Sequence, residues 1–474
     1  MEYLYDKLKQ YADSGYYGFH MPGHKRNAGL IQADLPYRYD ITEIEGFDDL
    51  HHAGGILKEA QERAAGVYHA DETFYLINGS TVGLLSAVMG CTQRGDSILM
   101  ARNCHKSVYN AVFLNELRPV YIYPQHILNS ELNGEITVEQ VDRLLQENPK
   151  VRAVVITSPT YDGVVSDIRR IAETVHRRNI PLILDEAHGA HFGFHPYFPE
   201  NGNVLGADVV IHSLHKTLPS LTQTGLLHMN GNLVDRSRVR RYLHILQSSS
   251  PSYVLMAGMD ECVRMLAEKS EEVFDRYADL LEQTTGKLED MEHMELVRTK
   301  RHDSSKLVIS VKGTVSARTG RHFTGRDLYR CLLEKYHLQA EMAAGSYVVL
   351  MTSPADTQEG MDRLISALCE IDGMLENKKD DDGAQFAVDV QEQVYTAWEA
   401  ELKRAAGAET VTWKNAVGRI SLEYAYLYPP GIPVIVPGER IGKAAVNQIQ
   451  MYEKMSFDIE GTEQKGQIKV LLHG

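Results

Sequence analysis

The sequence predicts an α/β protein: a large domain built on a mainly parallel sheet, with smaller α+β domains towards the C-terminus. Three observations carry this. Between about residues 60 and 215, short β-branched or apolar runs alternate with amphipathic stretches, the rhythm of parallel βαβ units with helices on both faces. Near residue 300 the rhythm changes, and KLVISV and SYVVLMT flank the helix-like GRDLYRCLLEKY. The chain has 474 residues, room for about three domains.

The elements follow in order. The first 45 residues read as an arm, and 46–295 as the large domain. Its strands are expected at 73–78 (TFYLIN), 97–101 (SILMA), 119–123 (PVYIY), 151–157 (VRAVVIT), 181–185 (PLILD) and 208–213 (DVVIHS). In TVEQVDRLLQEN, Thr137 and Gln140 have the spacing of a capping box. In SDIRRIAETVHRRN, Ile168, Ile171 and Val175 share one helical face. Residues from about 253 to 292 read as one long helix. A small α+β domain covers 296–375 and a C-terminal domain 376–474. The charged run ENKKDDDGAQ between them reads as a linker or exposed loop.

Composition narrows the function. Lys and Arg total 49 against 64 Asp and Glu, a net charge of −15. So acidic a surface repels phosphate backbones, which argues against nucleic acid as a partner. The N-terminus has no apolar core of a secretory signal, and no run approaches the ~18 apolar residues of a membrane span. The five cysteines are odd in number and widely spaced, with no CxxC pair, which argues against a disulfide framework or zinc ribbon. The expected compartment is the cytoplasm.

Four motifs carry chemistry, each at the end of an expected strand. Asn78-Gly79-Ser80-Thr81 opens a helix-like stretch. Glycine lets the backbone come close, hydroxyls donate, and a helix N-terminus favours an anion such as one phosphate. Plain N-capping would use the same residues. The absence of GxxxxGK[ST] and GxGxxG speaks against a nucleoside triphosphate or dinucleotide. Asp185 ends PLILD; an acid there is costly unless it meets a cation, and a protonated pyridine nitrogen is one. Metal ligation by Asp185, His188, His191 and His195 is the alternative, against which stand the helix-breaking Gly189 and Gly193. Ser213-Leu214-His215-Lys216 follows DVVIHS. A lysine in a half-apolar setting has a lowered amine pKa and can form a Schiff base. Lys216 lies 31 residues after Asp185, about one crossover unit, which puts both on one sheet edge. Finally, His105 in RNCHKS offers a flat ring for stacking. A phosphate cradle, a stacking ring, an acid for a pyridinium and a lysine for an aldehyde are the needs of pyridoxal 5'-phosphate.

These motifs also carry a resemblance. HMPGHK (20–25), DITEIEGFDDLHHAGGILKEAQ, NGST, RNCHKS, LDEAHGAH, HSLHKT and YPPGIPVIVPGE run in order through nearly the whole chain. They resemble the Orn/Lys/Arg decarboxylases, pyridoxal-phosphate enzymes of fold type I, the aspartate-aminotransferase-like fold. The resemblance implies that 46–295 binds the cofactor and that Lys216 holds its aldehyde. It implies that Asp185 pairs with the ring nitrogen, His105 stacks on the ring and Ala187 packs on the other face. It assigns Gly79, Ser80, Thr81 and Ser213 to the phosphate, places His188 in the cofactor site and His215 beside the reacting carbon. It implies a homodimer or higher homo-oligomer with shared active sites, in which one of Ser248, Ser249 and Ser250 (Ser249 the middle choice) reaches the neighbouring phosphate. Glu439 is implied near the distal end of a basic amino-acid substrate, lysine or arginine before ornithine. Larger members of the family carry a receiver-like N-terminal domain, and this chain resembles the short form without it.

The expected reaction is loss of CO₂ to give an amine, as in polyamine biosynthesis. Transamination, aldol cleavage or β-elimination on the same cofactor are the rivals; Arg301 and Arg321, which an aminotransferase would need for an in-plane carboxylate, have no recognisable setting in the sequence. A relative that has lost catalysis and a metal hydrolase at His188–His195 are the more distant alternatives.

Overall fold

The computed structural model describes residues 2–27, 33–125, 127, 131–378, 390–427, 431–454 and 457–472. Residues 379–385 of the expected linker and 428–430 of the YPPGIPVIVPGE segment lie outside them. The chain forms two compact units. The first comprises residues 1–91, 168–276 and 353–355, and the second residues 92–167, 277–352 and 356–474.

The first seven strands along the chain are β1 (Glu72–Leu76), β2 (Ser97–Ala101), β3 (Arg118–Ile122), β4 (Val151–Thr157), β5 (Leu182–Asp185), β6 (Val209–Ser213) and β7 (Gly225–Met229). In the first unit the order is β1-β7-β6-β5, with β5 and β6 parallel, Asp185 opposite Ile211. In the second the order is β4-β2-β3, all parallel. Six of the seven match the strands expected from the sequence to within two residues. β7 was not expected, and it is not parallel: it runs antiparallel to both β6 and β1. The reason is the connection. Residues 214–224 hold only a one-turn helix, Leu214–Thr217, too little chain for a crossover, so the strand must turn back.

The helices take the faces their patterns dictate. Thr137 and Gln140 form the expected capping box on the helix Val138–Glu147. Ile168, Ile171 and Val175 are buried on the helix Ile168–His176. The helix Gly79–Cys91 lies close to β1 and β6 because of Gly83: a Cβ there would come 2.7 Å from Leu76 Cδ1 and 3.2 Å from Ile211 Cγ2.

In the second unit the expected α+β pattern appears. Lys306–Ser310 and Tyr347–Met351 pair antiparallel, and the helix Gly325–Tyr336 opens with a capping box of Thr324 and Asp327. Nearer the C-terminus, Trp413, Ile435, Ile441, Ile449, Ile468 and Val470 form a separate core under the helix Lys443–Lys454. The long helix spans Tyr253–Leu288. Among the described residues no helix is long and apolar enough to cross a membrane, and none of the cysteines forms a disulfide.

The expected arm contains a helix, Leu4–Asp13, fastened in the first unit by one buried acid. Asp260 accepts from Leu4 N at 2.8 Å and from Arg63 Nη2 at 2.7 Å. Replacing it by alanine leaves Arg63 without its buried partner, so Asp260→Ala is expected to cost roughly 3–5 kcal/mol, read as a lowered denaturation midpoint.

Candidate active site

In the first unit, β1 leads through Asn78 into Gly79, whose φ of +72° starts the helix. A left-handed residue at this turn favours glycine. The first-turn N–H groups of a thirteen-residue helix follow, with the Ser80 and Thr81 hydroxyls beside them; such an end attracts an anion. Gly225 lies against it: a Cβ there would be 3.5 Å from Ser80 N and 2.7 Å from His212 O. Ser213, the last residue of β6, is fully buried, and its Oγ has no hydrogen-bond partner. Thr217 Oγ1 is in the same state, which no sequence motif had singled out. A buried hydroxyl without a partner is costly, and donors aimed at an anion that is not part of the chain are one physical reason to keep it.

Asp185 ends β5 and is 3% exposed. Its Oδ1 accepts from Ala187 N at 3.2 Å. Burial pushes its carboxyl up, and the Lys216 charge and the Ala187 N–H pull it back. Lys216 belongs to the turn of helix after β6, the parallel neighbour of β5, so the two groups share one sheet edge, as their spacing implies. Lys216 Nζ is 3.1 Å from His188 Nε2. His215 Nδ1 is 2.9 Å from the Thr224 carbonyl, so that nitrogen carries the proton and Nε2 is the acceptor of the neutral ring. Burial holds His215 below its ordinary value, the carbonyl opposes this, and Lys216 adds to it. Ala187 is buried directly after the acid pair.

Ser249 is exposed. The backbone before it is tied to the anion turn: Ser248 N donates to Asn78 Oδ1 at 3.1 Å. His191 and His195 do not converge with His188. The His191 ring packs on Phe192 and Phe198, and His195 pairs with Asp275 at 3.3 Å. Among the described residues no group of three His, Cys, Asp or Glu could hold a metal ion.

Sequence reading missed a buried polar chain next to Asp185. Glu186 Oε2 takes His212 Nε2 at 2.7 Å and Gly202 N at 3.0 Å. His212 Nδ1 meets His228 Nε2 at 3.0 Å, and His228 Nδ1 meets Thr73 Oγ1 at 2.7 Å. The chain links β5, β6, β7 and β1 through the first unit. Its only sequence signal is a polar residue inside each of three apolar strands, legible once β7 is known.

His105 lies in the second unit, as N-cap of the helix Lys106–Leu114, with Nδ1 accepting from Ser107 N at 3.2 Å. Also in this unit, Glu439 is 1% exposed and pairs with Arg102 at 3.1 Å. Its charge is thus matched inside the protein. A cavity of about 520 Å³ in the same unit is lined by residues that include Asn103, Tyr123, Glu131, Asp162, Glu341 and Tyr347. Burial pushes Asp162 up to about 6, opposed by the Tyr347 hydroxyl, which donates to it at 3.0 Å.

In the first unit, then, an anion cradle, a buried carboxylate and a lysine amine lie along the ends of adjoining strands. The Orn/Lys/Arg decarboxylase major domain matches residues 3–319, and the C-terminal domain of the same family matches 382–467. An arginine decarboxylase of Bacillus subtilis is 33% identical over 97% of this chain and 95% of its own. The lysine decarboxylase LdcF of Francisella novicida superposes with a TM-score of 0.81 at 20% identity, covering 99% of this chain and 81% of that one. An alanine–glyoxylate aminotransferase from Nostoc sp. superposes with a TM-score of 0.53 at 15% identity, over 66% of this chain and 86% of that one. The last two are likenesses of fold.

The buried histidine chain generates a pH prediction. Burial, and then His212, hold His228 well below its ordinary 6.5, so the folded protein keeps it neutral while the unfolded chain takes up a proton below that pH. Stability therefore falls as pH drops below about 6.5, by up to ~1.4 kcal/mol per pH unit from this one group. Denaturation midpoints compared at pH 7.5 and 5.5 are expected to fall less in His228→Gln. Glu186, whose carboxyl burial raises, titrates in the opposite sense in both proteins and drops out of the difference.

Proposed function

From a chain that belongs to the Orn/Lys/Arg decarboxylase family, we infer a decarboxylase that releases CO₂ from a basic L-amino acid, arginine or lysine before ornithine, with pyridoxal 5'-phosphate as cofactor. One observation carries the reading: Asp185 and Lys216 share the edge formed by two parallel neighbouring strands, the acid buried and the amine at hydrogen-bond distance from His188.

The residues present fit that cofactor. Ser213 Oγ is buried without a partner, and the left-handed Gly79 opens on the first N–H groups of a helix; Gly79, Ser80, Thr81 and Ser213 would hold the phosphate. Asp185 would hold the proton of the ring nitrogen. Bound there, the cofactor supplies an aldehyde for the substrate amine and a ring that accepts the electron pair left by CO₂. Lys216 Nζ would be the amine that holds the cofactor. His188 Nε2 accepts from Lys216 Nζ and so fixes where the amine points. His215 Nε2, the free acceptor of a neutral ring, can take and return a proton near Lys216. Ala187 and His105 are assigned to the two faces of the ring by resemblance to the family. An arginine to hold a substrate carboxylate, of the aminotransferase kind, finds no support in Arg301, held by Glu135 and Asp167, or in Arg321, held by Asp327. A homodimer with shared sites, in which exposed Ser249 reaches the neighbouring phosphate, and a cytoplasmic location complete the reading.

Purified protein with pyridoxal phosphate is expected to form amine and CO₂ from arginine, lysine or ornithine without added keto acid. Product that needs a keto acid would point to transamination instead. Lys216→Ala is expected to reduce turnover to background and to remove the cofactor's absorbance band; turnover retained in that variant would end the assignment. Ser213→Ala should weaken cofactor binding about tenfold or more, as for a lost hydrogen bond to a charged group. It should leave the melting temperature of the cofactor-free protein unchanged or higher, since no bond within the chain is lost.

A further inference from the structure

Arg102 opens the strand-to-helix connection, three residues before His105, and it is buried. Its backbone N donates to Ile122 O at 2.8 Å, and its carbonyl accepts from Tyr109 Oη at 2.6 Å. The guanidinium reaches into the segment 433–439. Nη1 donates to Pro433 O at 2.6 Å and to Tyr109 Oη at 3.0 Å. Nη2 donates to Val434 O at 3.3 Å and to Glu439 Oε2 at 3.1 Å. Glu439 is itself fixed, because the same Oε2 accepts from Val436 N at 2.9 Å and its backbone bonds to Val436 and Ser421. On the other side of His105, Lys106 Nζ sits 5.2 Å over the Tyr426 ring. His105 is thus bracketed by two cationic side chains, both anchored in the C-terminal domain matched at 382–467.

We propose that the Arg102–Glu439 pair is a positioning clamp, through which the C-terminal domain holds the His105 loop in place for the cofactor ring. Glu439 is then a positioning residue that touches neither substrate nor cofactor. This goes beyond the resemblance, which set Glu439 near the substrate's distal cation, and it rests on the proposed role of His105. The chemistry favours the clamp. An arginine with three acceptors in one segment and a fourth at Tyr109 is fixed in a fork geometry that a mobile substrate cation could not share without displacing it.

The test uses Glu439→Gln, which removes the charge and keeps the shape. Two measurements are made. In the cofactor-free protein, amide hydrogen exchange over residues 103–107 is expected to quicken about tenfold, while Asp185 and its strand stay protected. With pyridoxal phosphate, the dissociation constant of the cofactor is expected to rise about tenfold or more, as displaced catalytic geometry commonly does, with the KM for the amino acid within twofold of normal. A raised KM with unchanged cofactor affinity would overturn the clamp and return Glu439 to the substrate. Unchanged exchange at 103–107 would overturn it as well. If the unaltered protein takes up no pyridoxal phosphate, it is the proposed function that falls, and the exchange measurement still decides the clamp. Should Glu439→Gln fail to fold, the double variant Arg102→Met with Glu439→Leu leaves no buried charge orphaned. It is expected to fold with the same rapid exchange and weak cofactor binding, and wild-type values in it would overturn the proposal.

Discussion

A carboxylate buried at the end of a parallel strand is the constraint on which the candidate site depends. Asp185 is nearly removed from water, and within its own unit only one backbone N–H and the charge of Lys216 offset that. A lone ionised acid in such a place is expensive, and it either takes up a proton or is met by a cation. Both responses suit a group whose proper partner arrives from outside the chain. With the proposed cofactor, the protonated nitrogen of a pyridine ring would restore the balance on binding, and the cost carried by the cofactor-free protein would become part of the driving force for that binding.

The sheet makes that arrangement inevitable once its connections are set. A right-handed crossover from β5 returns the chain to β6 in parallel, which delivers residues 185 and 213–216 to the same edge. The glycines then set distances: Gly83 brings the helix after β1 down on to the strands, and Gly225 lets the start of β7 approach the His212 carbonyl of β6. The antiparallel β7 has a separate role. It carries His228 into line with His212 and Glu186, so the residue next to Asp185 is locked by hydrogen bonds across the strands. Asp185 cannot swing without disturbing that chain, which is how a buried polar network confers a single geometry.

Much of this was legible in the sequence because it is local. Strand–helix rhythm, a capping box, a glycine before paired hydroxyls and an acid ending an apolar run are all patterns within a dozen residues, and the structure has them where the patterns imply. What was not legible is what depends on pairing across the chain. β7 reads as five ordinary apolar-rich residues, GLLHM, and only the short connection from β6 gives its direction. Glu439 follows a Pro-Gly pair, and the resemblance set it near a substrate's distal end; nothing local points to its partner Arg102, 337 residues away. The unpartnered hydroxyls of Ser213 and Thr217 are invisible to any sequence pattern, since what marks them is the absence of a neighbour.

That last feature and the Arg102–Glu439 pair are opposite solutions to one problem. A buried polar group must be satisfied from within or from without. Arg102 and Glu439 pair with each other and with Pro433, Val434 and Val436, leaving Arg102 Nε and Glu439 Oε1 as their buried atoms without a partner, and such a buried ion pair contributes little net stability over apolar residues of similar volume. Its effect is geometric: breaking one half leaves a charge that the surroundings cannot solvate, so the two segments are held in one register. Ser213 and Thr217 are left unsatisfied by the chain, which makes their hydroxyls available to a ligand. A protein that needs one loop fixed and some hydroxyls open to a ligand has reason to use both.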